Sequence, residues 1–197
     1  MTGLPTLVVV SGPPGAGKTT LAHAIARAVG CPAICRDEIK EGMAHASPGF
    51  VPGPVDELSV RTLPTFFGVL ELLLRAGVTT VAEAAFQDRL WRPGLEALRG
   101  LARIRVVHCV VDAGVAHARM LQRAKESSLR RVHAEPNPDD PAVHAEGHNA
   151  FRRVSVEAPW IEVDTTRGYD PDLGAVVDFV SGRSPGGTPG SWLGRRS

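Results

Sequence analysis

The chain has 197 residues, with 22 Lys and Arg against 21 Asp and Glu, and is 43% hydrophobic and 22% charged. The near-neutral balance excludes a general electrostatic footprint for nucleic acid or anionic membrane, and the apolar content excludes disorder as the dominant state. No apolar run approaches the roughly 18 residues of a membrane span, and Met1 to Pro5 lacks a basic segment leading into a long apolar one, so a cytosolic protein is expected.

The first segment, Thr6 to Ser11, is a short apolar run ending at glycine, the pattern of a strand buried on both faces. A helix follows with Leu21, Ile25 and Ala28 at helical spacing, stopped by Gly30 with Pro32 beyond. Ala33 to Cys35 reads as a second strand leading into the polar turn Arg36-Asp37-Glu38 and a helix to about His45. Residues 46 to 54 hold Pro48, Gly49, Pro52, Gly53 and Pro54 and read as a loop. Leu63, Phe66, Phe67, Leu70, Leu73 and Leu74 then form a wide helical stripe that Pro64 should start or kink.

Beyond Gly77, Val78 to Ala85 reads as a third strand closing on Glu83. A helix over about 90 to 102 and a fourth strand over Ile104 to Val111 follow. A long arginine-rich helix begins near 113, and a Pro/Asp/His-rich stretch spans 133 to 148. A helix to about 157, a fifth strand over Trp160 to Val163 and a last helix near 171 to 181 complete the pattern. Strands alternating with helices predict a parallel sheet covered on both faces. The expected organisation is one α/β domain over 1–180 and a tail over 181–197 of linker composition.

Cys31, Cys35 and Cys109 are odd in number and lack paired zinc spacing, so they read as small buried hydrophobes of a reducing compartment. Only Lys18, Lys40 and Lys125 are lysines. A lysine in a special position is therefore informative.

Lys18 occupies such a position, in Gly12-Pro13-Pro14-Gly15-Ala16-Gly17-Lys18-Thr19, which fits GxxxxGK[ST] between a predicted strand and a predicted helix. Glycines permit a tight loop whose N–H groups turn toward phosphate oxygens, and the helix end adds unsatisfied donors and a positive dipole. Lys18 supplies a point charge for the outer phosphates, and the Thr19 hydroxyl is placed to bind magnesium. ATP and Mg2+ are the expected ligands, held by Gly12, Pro13, Pro14, Gly15, Ala16, Gly17, Lys18, Thr19 and Thr20.

A GTPase would carry an N-K-x-D motif late in the chain, and there is none. An AAA+ motor needs a longer chain and a strand ending in adjacent acidic residues, unlike Val81-Ala82-Glu83-Ala84. Small kinases remain, with a second substrate across the carboxyl edge of the sheet.

Asp37 lies just past the second strand, at the edge that carries the phosphate loop. A carboxylate there is placed either to take the proton of an attacking hydroxyl or simply to cap the following helix. Glu83 is placed to orient substrate or hold a magnesium-bound water, or else to pair with Arg89 or Arg92. Arg119, Arg123 and Arg130 fall in one stripe, roughly opposite Val115, Ala118, Leu121 and Ala124, facing either solvent or an anion. Arg131 lies beside that stripe. His144 and His148, with Glu146 or His133, have metal-ligand types, but proline punctuation and a chemistry that needs only magnesium on oxygen argue against a site.

The landmarks Gly12 to Thr20, Arg36-Asp37-Glu38, Glu83, Arg119-x-x-x-Arg123 and Asp164-Thr165-Thr166 resemble those of the zeta-toxin and chloramphenicol-phosphotransferase-like P-loop kinases. The resemblance implies a five-stranded sheet ordered 2-3-1-4-5 and transfer of the γ-phosphoryl of MgATP to a hydroxyl of a small molecule. It implies Asp37 as base, with Lys18 and Arg123 also catalytic. It further implies that Arg119, Arg123 and Thr165 contact nucleotide as the arginine helix leads into a lid over about 124–148. The acceptor is expected to be small and uncharged or modestly polar, its pocket lined by residues 43 to 70 and 86 to 92, and the protein a monomer or weak homodimer. A polynucleotide 5′-kinase is disfavoured by the balanced charge and 5% aromatic content, which leave little for a stacking groove. A non-catalytic ATP-dependent switch is the rival from another class.

Overall fold

The structure, a computed structural model, describes residues 3–53, 56–126 and 141–183, and all their side chains except those of 124–126 and 141–144. Five strands, β1 (Thr6–Ser11), β2 (Ala33–Cys35), β3 (Thr80–Glu83), β4 (Arg103–Val110) and β5 (Trp160–Asp164), form one sheet ordered β2-β3-β1-β4-β5. Every pairing is parallel, with Val9 opposite Ala82 and Val106, as the alternating pattern predicts. The helices are α1 (Lys18–Val29), α2 (Arg36–His45), α3 (Glu57–Arg75), α4 (Asp88–Leu98), α5 (Ala113–Glu126), α6 (Pro141–Ala150) and α7 (Leu173–Ser181).

All six residues of β1 are buried. Successive side chains of a strand point to opposite faces, so β1 feeds two cores. Val8 and Val10 pack with Leu21 and Ile25 of α1 and Val176 and Phe179 of α7. Leu7 and Val9 pack with Phe66 and Leu70 of α3 and Leu95 of α4. Placing β1 between β3 and β4 puts the loop after it over the middle of the carboxyl edge, with the ends of β2, β3 and β5 around it.

Several boundaries differ from the sequence expectation, each for a local reason. Pro64 neither starts nor ends α3 but lies inside it. The start is set earlier by Asp56, whose side chain accepts from Ser59 N at 2.7 Å. A cap of this type satisfies a helix-end donor, whereas an interior proline removes a single bond. β3 covers only Thr80–Glu83 and α4 starts at Asp88 rather than near 90. The helix expected to reach about 157 ends at Ala150. Residues 151–159 cross the sheet without a helix, burying Val154 and Val156, two apart as in an extended segment, in the α3 and α4 core.

On α5 the stripe of Val115, Ala118 and Leu121 is only partly the core face, since Val115 packs against the core but Ala118 is exposed and Ala116 is fully buried. Ala116 and Arg119, three apart, face the loop after β1 instead. Much of the expected lid, including Arg130, Arg131 and His133, lies outside the described residues, as does the tail from 184. Among the described residues no helix is long and apolar enough to cross a membrane.

Candidate active site

The segment Gly12–Gly17 turns from β1 into α1 with Gly17 as N-cap in the left-handed region at φ 69°. Two glycines are required by crowding as well as by φ. At Gly15, φ is 77° and an added Cβ would stand 2.6 Å from the Ala116 carbonyl oxygen; at Gly12 it would stand 2.5 Å from that of Cys109. Both distances are closer than any Cβ tolerates, so the loop is pressed against β4 and α5. Lys18 Nζ donates to the Pro13 carbonyl at 3.0 Å, folding the ammonium back over the loop.

Thr19 Oγ1 donates to Glu83 Oε2 at 3.1 Å. Glu83 is 3% exposed, and no ion pair to Arg89 or Arg92 is formed among the described residues. Burial pushes its carboxyl above the ordinary range; the Lys18 charge and the Thr19 hydroxyl oppose this, and the nearby Asp37 carboxylate reinforces it. Lys18, Thr19, Glu83 and Asp37 therefore share one electrostatic neighbourhood, reached from β1, β3 and β2. A hydroxyl and a carboxylate side by side beneath a phosphate loop are hard oxygen ligands, the donor set magnesium takes.

Asp37 is half-exposed at the second position of α2, 3.0 Å from Arg36 Nη1. The capping alternative does not hold, because the N-cap is Cys35 and makes no side-chain cap bond. Glu38 instead meets His23 Nε2 at 2.7 Å.

Arg119 is brought onto the outer side of the phosphate loop. Its Nη2 donates to the Thr165 carbonyl at 2.7 Å and its Nη1 to Thr165 Oγ1 at 3.2 Å. Thr165, 4% exposed, passes its own hydroxyl on to the Ala16 carbonyl at 3.1 Å. The pair straps β5 and α5 to the loop, a role the sequence pattern did not announce. The guanidinium fork is committed to the carbonyl and the hydroxyl of Thr165. Arg123, one turn further along α5, is half-buried. His148 Nε2 lies 2.9 Å from the Val111 carbonyl, which ties α6 to the end of β4; the His144 side chain is outside the described residues.

Among the described residues two cavities open near this edge. One, of about 280 Å³, is lined by Asp164, Thr166, Arg167, Gly168, Tyr169 and Asp170 beside the Arg119 strap. Its wall is stiffened by paired backbone bonds between Asp164 and Asp170 at 2.8 and 2.9 Å. The other, of about 260 Å³, lies between Gln87 and Asp88 after β3 and Ala150 to Arg153. Residues 87 and 88 were expected at the acceptor pocket; residues 150 to 153 were not, because their placement depends on the extended crossing after α6.

A parallel sheet in this order, with a GK[ST] loop after its central strand and a carboxylate behind the loop threonine, defines a P-loop nucleotide-binding domain. A family described as the AAA domain matches residues 7–138. The chain is 32% identical over 161 residues to a shikimate kinase of Corynebacterium efficiens, covering 82% of this chain and 85% of that one. Its fold is similar to that of a candidate kinase from Chloroflexus aurantiacus, with a TM-score of 0.81 at 22% identity over 93% of this chain and 100% of that one. It is also similar to the Mycobacterium tuberculosis APS kinase solved with AMPPNP and APS, with a TM-score of 0.61 at 14% identity over 91% and 99% of the two chains. The chain belongs to the P-loop kinases of this AAA-domain family. That name is shared with motors, yet β3 ends in the single carboxylate Glu83 rather than an acidic pair.

Proposed function

We propose that this kinase transfers the γ-phosphoryl of MgATP to a hydroxyl of a small polar molecule in the cytosol. The observation that carries the reading is the convergence of Lys18, Thr19, Glu83 and Asp37 on one side of the phosphate loop. The loop N–H groups and Lys18 hold the phosphates, and the adenine lies in the cavity lined by Asp164 and residues 166–170. Magnesium fits the Thr19 hydroxyl with Glu83 behind it, and when bound it offsets charge on the phosphate oxygens.

Asp37 orients the acceptor hydroxyl and takes its proton as the new O–P bond forms; Arg119 and Arg123 stabilise nucleotide charge from α5. Phosphoryl transfer is mostly positioning and charge stabilisation, so a carboxylate of ordinary basicity suffices. The acceptor enters over β2 and β3, toward the cavity at Gln87 and Arg153. Arg152 and Arg153 on that rim favour an acceptor carrying an anionic group, where the sequence led to an uncharged or modestly polar one.

The test is acceptor-dependent release of ADP across a panel of sugars, hydroxy acids, nucleosides and alcohols. Asp37→Asn keeps shape but takes no proton. Turnover falls roughly 10² to 10⁴-fold with ATP affinity nearly unchanged, the range for a positioned acid or base. Near-normal turnover in this variant would move the base role to another group, Glu83 first.

A further inference from the structure

Three side chains of different chemistry meet on the side of α1 that faces β2 and α2. His23 Nε2 lies 2.7 Å from Glu38 Oε1 and 3.7 Å from Cys35 Sγ. All three potential ligand atoms fall within 4.8 Å of one another. Cys35 is 2% exposed at the end of β2, whereas the His23 and Glu38 side chains are 42% and 48% exposed. The cluster thus has a buried sulfur at its floor and a mouth open to solvent.

A tetrahedral zinc ion, with Zn–S about 2.3 Å and Zn–N about 2.0 Å, separates sulfur from nitrogen by about 3.6 Å. The observed 3.7 Å already matches. Nitrogen and oxygen ligands need about 3.3 Å, so the 2.7 Å contact of His23 with Glu38 opens by about 0.6 Å, a small rotation of two half-exposed side chains. One thiol, one imidazole and one carboxylate are poor ligands for magnesium, which takes oxygen, and good ones for a borderline-soft ion.

We propose that His23, Cys35 and Glu38 bind a divalent cation of the zinc class, with water in the fourth position, separately from the magnesium position at Thr19. The Cys35 thiol loses its proton to solvent as the metal–sulfur bond forms, His23 binds as neutral imidazole and Glu38 as carboxylate, and nothing is oxidised or reduced. Burial raises the Cys35 pKa well above that of an ordinary thiol, with the Glu83 and Glu38 carboxylates adding to the effect. Binding is therefore reversible and strengthens as pH rises, since one proton leaves per ion.

The probe is Co2+ titrated into the full-length reduced protein with excess Mg2+, which keeps the oxygen site filled. A near-ultraviolet thiolate-to-cobalt absorption saturating at one ion per chain is expected, discharged by Zn2+ and strengthened about tenfold in affinity between pH 7 and pH 8. Cys35→Ser abolishes the band, His23→Gln and Glu38→Gln each weaken binding at least tenfold, and Cys31→Ser leaves it intact. No band in the wild type, or a band that survives in a folded Cys35→Ser protein, overturns the proposal. Since the readout needs neither ATP nor acceptor, its failure is independent of any failure of the kinase reading.

Discussion

Lys40 and Asp56 form an ion pair at 2.7 Å with side chains only 3% and 6% exposed. The pair closes the loop between α2 and α3: Asp56 also accepts from Ser59 N at 2.7 Å and Gly53 N at 3.5 Å, and Lys40 Nζ lies 5.9 Å from the Phe50 ring centre. Asp56→Ala removes a helix cap, about 1 kcal/mol, and strands a buried ammonium, a fault that costs about 3 to 5 kcal/mol. The expected loss is about 4 kcal/mol, a large part of a domain's roughly 5 to 15 kcal/mol. Lys40→Met costs less, about 1 to 2 kcal/mol, because Asp56 keeps its two N–H donors. The double variant Lys40→Met/Asp56→Asn, in which asparagine still caps α3, is more stable than Asp56→Ala alone. Urea unfolding of the four proteins measures this. The pair also sets a pH window: burial alone would raise the Asp56 pKa, but the Lys40 hydrogen bond and the two backbone donors outweigh it and hold it at about 2, below its ordinary 3.8. Its stabilisation is therefore complete above about pH 4 and is lost as pH falls toward 2. A loss under about 1 kcal/mol for Asp56→Ala would refute the account of the loop. On the proposed acceptor route over β2 and β3, Lys40→Met also raises KM for acceptor more than it changes KM for ATP.

Arg119→Ala frees Thr165 and loosens the phosphate loop, so ATP binding and turnover each fall about tenfold or more, and Arg119→Lys restores little because a single ammonium cannot span the two Thr165 acceptors. Glu83→Gln removes the acceptor charge behind Thr19, so the magnesium concentration for half-maximal turnover rises and the maximum drops about 10²-fold, read from a magnesium titration. His108, 8% exposed and stacked on Phe151, is held neutral chiefly by burial, with Arg153 adding repulsion, at a pKa of about 4. The unfolded chain takes up that proton more readily, so stability falls as pH drops from about 6.5 to 4, and His108→Phe flattens that part of the profile in thermal melts.

The parallel α/β pattern and the phosphate loop were legible because each rests on local pattern, an apolar run, glycines at fixed offsets, a lysine in a chain with few lysines, whereas the strand order β2-β3-β1-β4-β5 came only from the family resemblance. Asp37 and Glu83 were legible as strand-end carboxylates, but the Thr19 bond that gives Glu83 its place needs β1 and β3 to be neighbours. The Arg119 stripe was visible, whereas its direction was not, because helical spacing alone does not say that Ala116 rather than Ala118 is buried. The Thr165 strap and the His23, Cys35 and Glu38 cluster join positions 12 to 149 residues apart or on separate elements, which no window along the chain reveals. Residues 151 to about 157 were misread as helix, although Val154 and Val156 carry the two-residue period of an extended segment.

Transfer to a small hydroxyl is tested most directly by following phosphorus nuclear magnetic resonance of a reaction containing wild-type protein, magnesium, ATP and an acceptor that stimulates ADP release. The account predicts a phosphate monoester signal that grows with the loss of the γ-phosphate signal, stays at background with Lys18→Ala, and is slowed roughly 10² to 10⁴-fold with Asp37→Asn. Release of inorganic phosphate alone, or ATP bound without any ester formed across the panel, would contradict it.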